Sequence, residues 1–349
     1  MEKLNLGVVF GGMSTENEVS IVSANAILRN LDSDKYNIYP IYIDKDGLWY
    51  EYLDDFNKIS YDGVVNEKAE IENVIKYLKK LDLIFPVLHG LYGEDGTIQG
   101  LFELMKIPYV GCKVLASSVG MDKVYSKIIF ERAGLNQTKY VYITSYGDKY
   151  IYIDDNFNEK IFNLEDVCDL ANKKLKFPMF VKPSNSGSSV GITKVDTFEK
   201  LGDAIKEAAK FDKKIIIEEG IDGREVECAV LGNEDVRASC VGEILSADTF
   251  YSYDAKYKNE DSKVVIPANI DDEIEKEIQQ SAIKAFKSID GKGLSRVDFF
   301  IEKLTNKVYI NEINTLPGFT SISMYPKLFE KSGLKFADLL DELIKLCLS

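Results

Sequence analysis

The chain has 349 residues and a formal net charge of −14, and apolar residues make up 45% of it. That length suits two or three domains with sizeable cores, and the acidic balance argues against sequence-independent binding of nucleic acid, which needs a basic surface. The five cysteines form no CxxC pair, which speaks against a disulfide framework or zinc site and for a reducing compartment. No basic-then-apolar leader opens the chain, and no stretch approaches the ~20 apolar residues that span a bilayer. The expected location is the cytoplasm.

Leu6–Phe10 is a continuous apolar run ending at Gly11-Gly12, which reads as a buried parallel strand feeding a tight turn. A helix over Glu18–Asn30 follows, with Ser14 or Thr15 placed to cap it. A strand at Ile38–Ile43, a helix at Ile71–Leu81 and a strand at Leu83–Leu88 complete a β-α-β-α-β series. This predicts an open parallel sheet whose ligands lie beyond the strands' C-terminal ends. A second region opens with a helix at Asp122–Ala133, then strands at Tyr140–Ile143 and Met179–Lys182. Tyr146–Glu165 carries no clear period. The third region has strands at Ile215–Glu218, Glu225–Leu231 and Lys263–Pro267 and a helix at Glu273–Ile289. Strands Ser295–Ile301 and Lys307–Ile313 follow, joined at Thr305-Asn306 as a hairpin. The chain ends in an amphipathic helix, Leu334–Leu348.

Strand alternation puts Arg296 and Asp298 on one face of the first hairpin strand, and Glu312 and Asn314 on one face of the second. Such a face gathers hard oxygen ligands suited to Mg²⁺ beside a guanidinium; alone, it reads equally as a surface salt bridge. Lys182-Pro-Ser-Asn-Ser-Gly-Ser-Ser-Val-Gly191 offers backbone N–H groups and a lysine to phosphate, although on its own it reads as a mobile loop. In His89-Gly-Leu-Tyr-Gly-Glu-Asp-Gly-Thr-Ile-Gln-Gly100, the sole histidine sits at a strand end before glycine. Glu16 and Glu18 lie at a strand-to-helix turn, placed to hold an ammonium or to favour the helix N-terminus; for Glu18 the second reading is preferred. The aromatic stretch Phe250–Tyr257 and the charged run after it suggest a lid, or an edge strand and its turn.

Taken together and in order, GGMSTENEVS, HGLYGEDGTIQG, MDK, KPSNSGSSVG, YDAKY, RVDFF and NEINTLPGFTSIS resemble the D-alanine–D-alanine ligase family of the ATP-grasp superfamily. The match spans nearly the whole chain. It implies a three-domain α/β architecture. Residues 1–121 would form an N-terminal open parallel-sheet domain that binds the first substrate. Residues 122–216 and 217–349 would form two α+β domains that sandwich ATP. On this resemblance Lys123, Lys182 and Ser188 hold phosphates, and Glu218, Glu219, Ile221 and Glu225 hold adenine and ribose. Asp298, Glu312 and Asn314 hold two Mg²⁺ ions, with Mn²⁺ as an alternative and a monovalent cation left open. Glu16 takes the first D-alanine's ammonium, and Arg296 with the Gly318 N–H forms the oxyanion site. His89, Lys256, Ser323 and Met324 line the substrate sites, and Tyr257 is the lid tyrosine that links to Glu16 and Ser188. A homodimer through the N-terminal domain is implied, with no nucleic acid or membrane partner. Many family members carry a histidine where this chain has Ile322. A D-alanine–D-serine ligase therefore stays open, and a non-catalytic nucleotide-binding module is the reading from another class.

Overall fold

The computed structural model describes residues 3–53, 68–154, 156, 158–188, 190–245 and 263–349, which form three sheets. The first contains β1 (Leu4–Gly11), β2 (Tyr36–Ile43), β3 (Trp49–Tyr52), β4 (Lys68–Glu70) and β5 (Leu83–Pro86), in the order β4-β3-β2-β1-β5. β1 runs parallel to β2 and β5, with helix Asn17–Asn30 as a crossover. The sheet is not wholly parallel, because β3 and β4 add antiparallel strands at the β2 edge. The cause is the turn after β2, where the Asp44 carboxylate accepts the N–H groups of Asp46 and Leu48 at 3.0 and 2.9 Å. So tight a turn can return a strand only antiparallel. The helix expected over Ile71–Leu81 is confined to Val74–Leu78, capped by Asn73.

The second sheet contains β6 (Tyr140–Tyr146), β7 (Lys149–Ile153), β8 (Glu159–Phe162), β9 (Met179–Pro183), β10 (Thr193–Val195) and β11 (Lys214–Glu219). Its order is β10-β9-β11-β6-β7-β8, antiparallel throughout. The aperiodic stretch Tyr146–Glu165 supplies β7 and β8. Tyr150 and Tyr152 alternate into the core there, so tyrosine fills the apolar role that aliphatic residues usually mark. β11 is paired on both sides in this sheet, so the division expected between residues 216 and 217 runs through a strand.

The third sheet contains β12 (Gly223–Gly232), β13 (Arg237–Leu245), β14 (Lys263–Val265), β15 (Gly293–Glu302) and β16 (Val308–Asn314), in the order β14-β13-β12-β15-β16. Its two faces differ. Val226, Cys228, Val230, Val297 and Phe299 pack under helix Asp272–Ser288. On the opposite face, Ala229, Leu231 and Leu294 join a core shared with the first sheet and the C-terminal helices Met324–Lys331 and Phe336–Leu348. Two residues along each strand from those apolar positions, the same face carries Glu227 and Arg296; a further step reaches Glu225 and Asp298. The face thus runs from oily core to polar cleft. Phe319 anchors the turn after β16 into that core, with ring centroids 5.9 Å from Phe85, 5.5 Å from Tyr325 and 6.0 Å from Phe336. No helix among the described residues is long and apolar enough to cross a membrane.

Candidate active site

The β15–β16 register sets Arg296 opposite Asn314 and Asp298 opposite Glu312. The four residues expected to share a face therefore do. A bulge just before Glu312 makes this compatible with the core. The register slips between Asp298 and Phe299, leaving Asn311 extra, so that Ile310 and Ile313 both point into the apolar layer despite their odd spacing. β12 sets Glu227 directly opposite Asp298. Arg296 donates from Nε and Nη2 to the two Asp298 oxygens at 2.7 Å each, and its Nε lies 3.0 Å from Glu227 Oε2. The guanidinium is thus fixed as a planar fork between two buried carboxylates. Glu227 is a site residue that the motif reading missed. Its spacing of two from Glu225 on one strand was the available signal.

Lys123 is held from both ends of its surroundings. The Asp122 carboxylate caps helix Lys123–Arg132 by accepting the N–H groups of Val124 and Tyr125 at 3.1 and 3.2 Å. It also accepts the Ser184 hydroxyl at 2.6 Å and pairs with Lys214 at 2.5 Å. Burial alone would raise this carboxyl, but Lys214 and Ser184 hold it below its ordinary value. The Lys123 ammonium then donates to the Ser186 carbonyl at 2.8 Å and lies 3.4 Å from Glu312 Oε2. The cap therefore ties together the helix, the root of the Gly/Ser loop and the carboxylate face. Asn185 anchors the same loop by donating from N and Nδ2 to Asp212 at 2.9 and 3.0 Å.

Lys182 sits on β9 opposite Ile216, and its ammonium reaches Glu218 Oε2 at 2.5 Å. The other oxygen of Glu218 meets Lys127 at 2.6 Å. Burial raises the Glu218 carboxyl, but the two ammoniums outweigh it and hold it at about 2. Glu218, Glu219, Ile221 and Glu225, with Lys123, Lys182 and Ser188, line one cleft of about 760 Å³ between the second and third sheets. The volume suits a nucleotide-sized ligand. The Glu219 carboxylate itself turns to the Lys176 N–H at 3.0 Å, so this residue contributes to the cleft wall rather than aiming its charge inward.

A second cavity of about 110 Å³, of a size for small amino acids, is lined by Glu16, His89, Ser188, Arg296, Glu312, Asn314, Gly318, Ser323 and Met324 among others. Ser188 donates its hydroxyl to Glu16 Oε1 across 172 residues of chain, closing the Gly/Ser loop onto the first sheet. Gly187 lets the loop approach closely, since a Cβ there would lie 2.9 Å from Glu16 Oε2 and the carboxylate would have to shift. Glu16 itself occupies the helix N-cap position. The expected capping by Ser14 or Thr15 is not seen. The Ser14 hydroxyl instead accepts the Glu16 N–H at 3.1 Å and donates to the His89 carbonyl at 2.6 Å. Glu18 lies in the first helical turn, exposed, with Lys45 at 3.6 Å. His89 Nε2 lies 3.1 Å from the Ser23 hydroxyl, which accepts the Phe319 N–H at 3.2 Å. Glu94 lies 3.7 Å from His89 Nδ1 and accepts the Gly90 N–H at 2.9 Å. Ser323 accepts the Thr320 N–H at 2.9 Å beside Gly318. Lys256 and Tyr257 lie outside the described residues.

Two carboxylates and an amide oxygen on one strand pair form an all-oxygen donor set, which fits Mg²⁺ with its remaining positions filled by phosphate and water. Lys123 beside Glu312 places a phosphate-seeking cation at that face. The Asn314 amide oxygen accepts the Leu316 N–H at 3.0 Å, which fixes its orientation. Among the described residues no cluster of three or more His, Cys, Asp or Glu could hold a metal without such help.

Comparisons with known proteins place the chain in a family. The family described as D-ala D-ala ligase N-terminus matches residues 5–112, and that described as D-ala D-ala ligase C-terminus matches residues 129–345. The chain is 49% identical to a D-alanine–D-alanine ligase of Acetivibrio thermocellus, over 99% of this chain and 96% of that one. It is 48% identical to D-alanine–D-alanine ligase B of Clostridium tetani, over 100% and 95%. Among solved structures, the VanG D-Ala:D-Ser ligase of Enterococcus faecalis superposes with a TM-score of 0.86 at 38% identity, covering 99% of this chain and 100% of the other. The D-alanine–D-alanine ligase of Coxiella burnetii gives 0.81 at 35% identity, covering 99% and 94%. With both family regions matched and full-length relatives this similar, the chain belongs to the D-alanine–D-alanine ligase family of ATP-grasp enzymes.

Proposed function

We propose that this protein joins two D-alanines into D-alanyl-D-alanine at the expense of ATP, supplying peptidoglycan precursor synthesis in the cytoplasm. The observation that carries the reading is the junction of the two cavities. Lys123, Ser188 and Glu312 line both, so a carboxylate in the small pocket and a terminal phosphate in the cleft would share one wall. The first sheet would supply the first-substrate site, and the second and third sheets would enclose ATP.

In the first step the carboxylate of one D-alanine, its ammonium held by Glu16, attacks the γ-phosphorus. The bond to ADP breaks and an acyl phosphate forms. Lys123, Lys182 and the N–H groups around Ser188 offset the phosphate charge. Glu218, Ile221 and Glu225 orient the nucleoside, with Glu219 forming part of that wall. Mg²⁺ or Mn²⁺ held by Asp298, Glu312 and Asn314 would supply further charge neutralisation. In the second step the neutral amine of a second D-alanine attacks the acyl carbon. Arg296 and the Gly318 N–H stabilise the oxyanion, the carbon–oxygen bond to phosphate breaks, and the amine loses its proton. His89 would line the substrate pocket, Ser323, Met324 and Lys256 would hold the second substrate, and Tyr257 would close over Glu16 and Ser188 to exclude water. A homodimer through the first sheet completes the proposal, with analytical ultracentrifugation as its check.

The second reading, ligation of D-alanine to D-serine, is favoured by the likeness to the VanG D-Ala:D-Ser ligase and by Ile322, which lines the small pocket. Offering D-alanine and D-serine together and weighing the dipeptides separates the two. Alanyl-alanine as the main product supports the first reading; alanyl-serine in excess overturns it. Absence of any D-alanine-dependent phosphate release from ATP would sink both in favour of a non-catalytic module.

A further inference from the structure

Lys127 stands apart from the site residues above. It lies one helical turn after Lys123, on the same helix face, yet only 2% of it is exposed and it does not line the nucleotide cleft. Its ammonium is spent on Glu218 Oε1 at 2.6 Å, with the Thr138 hydroxyl at 3.4 Å and the Tyr140 ring at 5.6 Å. Glu218 is itself 4% exposed and gives its other oxygen to Lys182 at 2.5 Å. A buried ammonium is costly unless paired, so a second lysine behind one carboxylate calls for an explanation. Helix-to-sheet packing alone would be served as well by an apolar side chain of similar volume.

The charge count supplies the explanation. Glu218 and Lys182 alone form a neutral pair. With Lys127 the trio carries one net positive charge, and of its members only Lys182 and Glu218 face the cleft. We propose that Lys127 is a positioning residue of the nucleotide site, which shares the Glu218 carboxylate and so leaves Lys182 with a net positive charge to offer the phosphates of ATP. Burial disfavours the charged form of Lys127, and Glu218 offsets part of that effect; the cost is accepted where a cation behind the wall raises the field in front of it. The inference rests on the cleft being the ATP site.

The test compares ATP with adenosine, which lacks phosphates, binding to the full-length protein by calorimetry. Lys127→Met keeps the volume and removes the charge. It should lower the ATP-to-adenosine affinity ratio by about tenfold or more, as loss of a unit charge at such range implies. The KM for ATP should rise while the KM for D-alanine stays within about twofold. Lys127→Arg should recover most of the ratio. Because Lys127→Met leaves a buried carboxylate with one partner, the double variant Lys127→Met, Glu218→Gln is the folding control. It restores the net charge of +1, so its ratio should return toward that of the parent. An unchanged ratio in Lys127→Met, equal losses for ATP and adenosine, or no recovery in the double variant would each overturn the proposal. A parent protein that fails to bind ATP would overturn the nucleotide-site reading instead.

Discussion

The carboxylate face of β15–β16 and the Gly/Ser loop meet at the same junction, but they are held in place by different means. Arg296, Asp298, Glu312 and Asn314 are fixed by a backbone ladder whose other face is buried under helix Asp272–Ser288. The loop is fixed by a few side-chain bonds at its root: Asp122 to Ser184, Lys123 to the Ser186 carbonyl, and Asn185 to Asp212. Its tip is tied to the first sheet by the Ser188–Glu16 bond. On the proposed mechanism, chemistry that needs rigid placement, the oxyanion and metal positions, would sit on the ladder. The part that would admit and release substrate is tied by bonds that can break one at a time.

If the ladder side draws its rigidity from the shared core, removing the core anchor should cost most. Phe319→Ala should destabilise the fold by about 3–5 kcal/mol, read as a fall in denaturation midpoint, because it empties a position packed by three aromatic rings. Next, Arg296→Ala should lower product formation by ~10²–10³ with ATP affinity nearly intact, measured by dipeptide yield and nucleotide calorimetry. Normal turnover would remove Arg296 from the acyl-transfer step. On the loop side, Asp122→Asn should raise the KM for ATP by about tenfold, since it weakens a cap and an ion pair together. A fall in kcat alone, with the KM for ATP unmoved, would separate the cap from the phosphate site. The smallest expected effect is in acid. Glu218 is held at about 2 against an ordinary 4.5, so its contribution to stability is complete above pH 4.5 and is lost as pH falls toward 2. Glu218→Gln should flatten the decline of melting temperature across that window.

Much of the ladder was legible in the sequence. Period-two alternation in Ser295–Ile301 and a turn at Thr305-Asn306 suffice to bring four polar residues to one face. The bulge at Asn311 was only half legible: Ile310 and Ile313 stand three apart, which breaks period two, but the register with β15 is needed to show where the extra residue lies. Lys127 and Glu227 follow the periods of their elements, at four residues from Lys123 and two from Glu225, but periodicity does not say that an element's polar face is buried. Phe319 sits in an irregular turn, where no period marks it as core. The turn at Asp46-Gly47 is legible in the sequence, but the antiparallel β3 and β4 that follow it were hidden by their short length.

On the proposed mechanism the two cavities exchange a phosphoryl group through an acyl phosphate. Turnover with ATP and D-alanine labelled with ¹⁸O in its carboxylate tests it directly. The attacking carboxylate oxygen stays on phosphorus when the amine displaces it, so each released inorganic phosphate should carry one ¹⁸O, detected by ³¹P shift or mass. Dipeptide formed alongside unlabelled phosphate would contradict the claim.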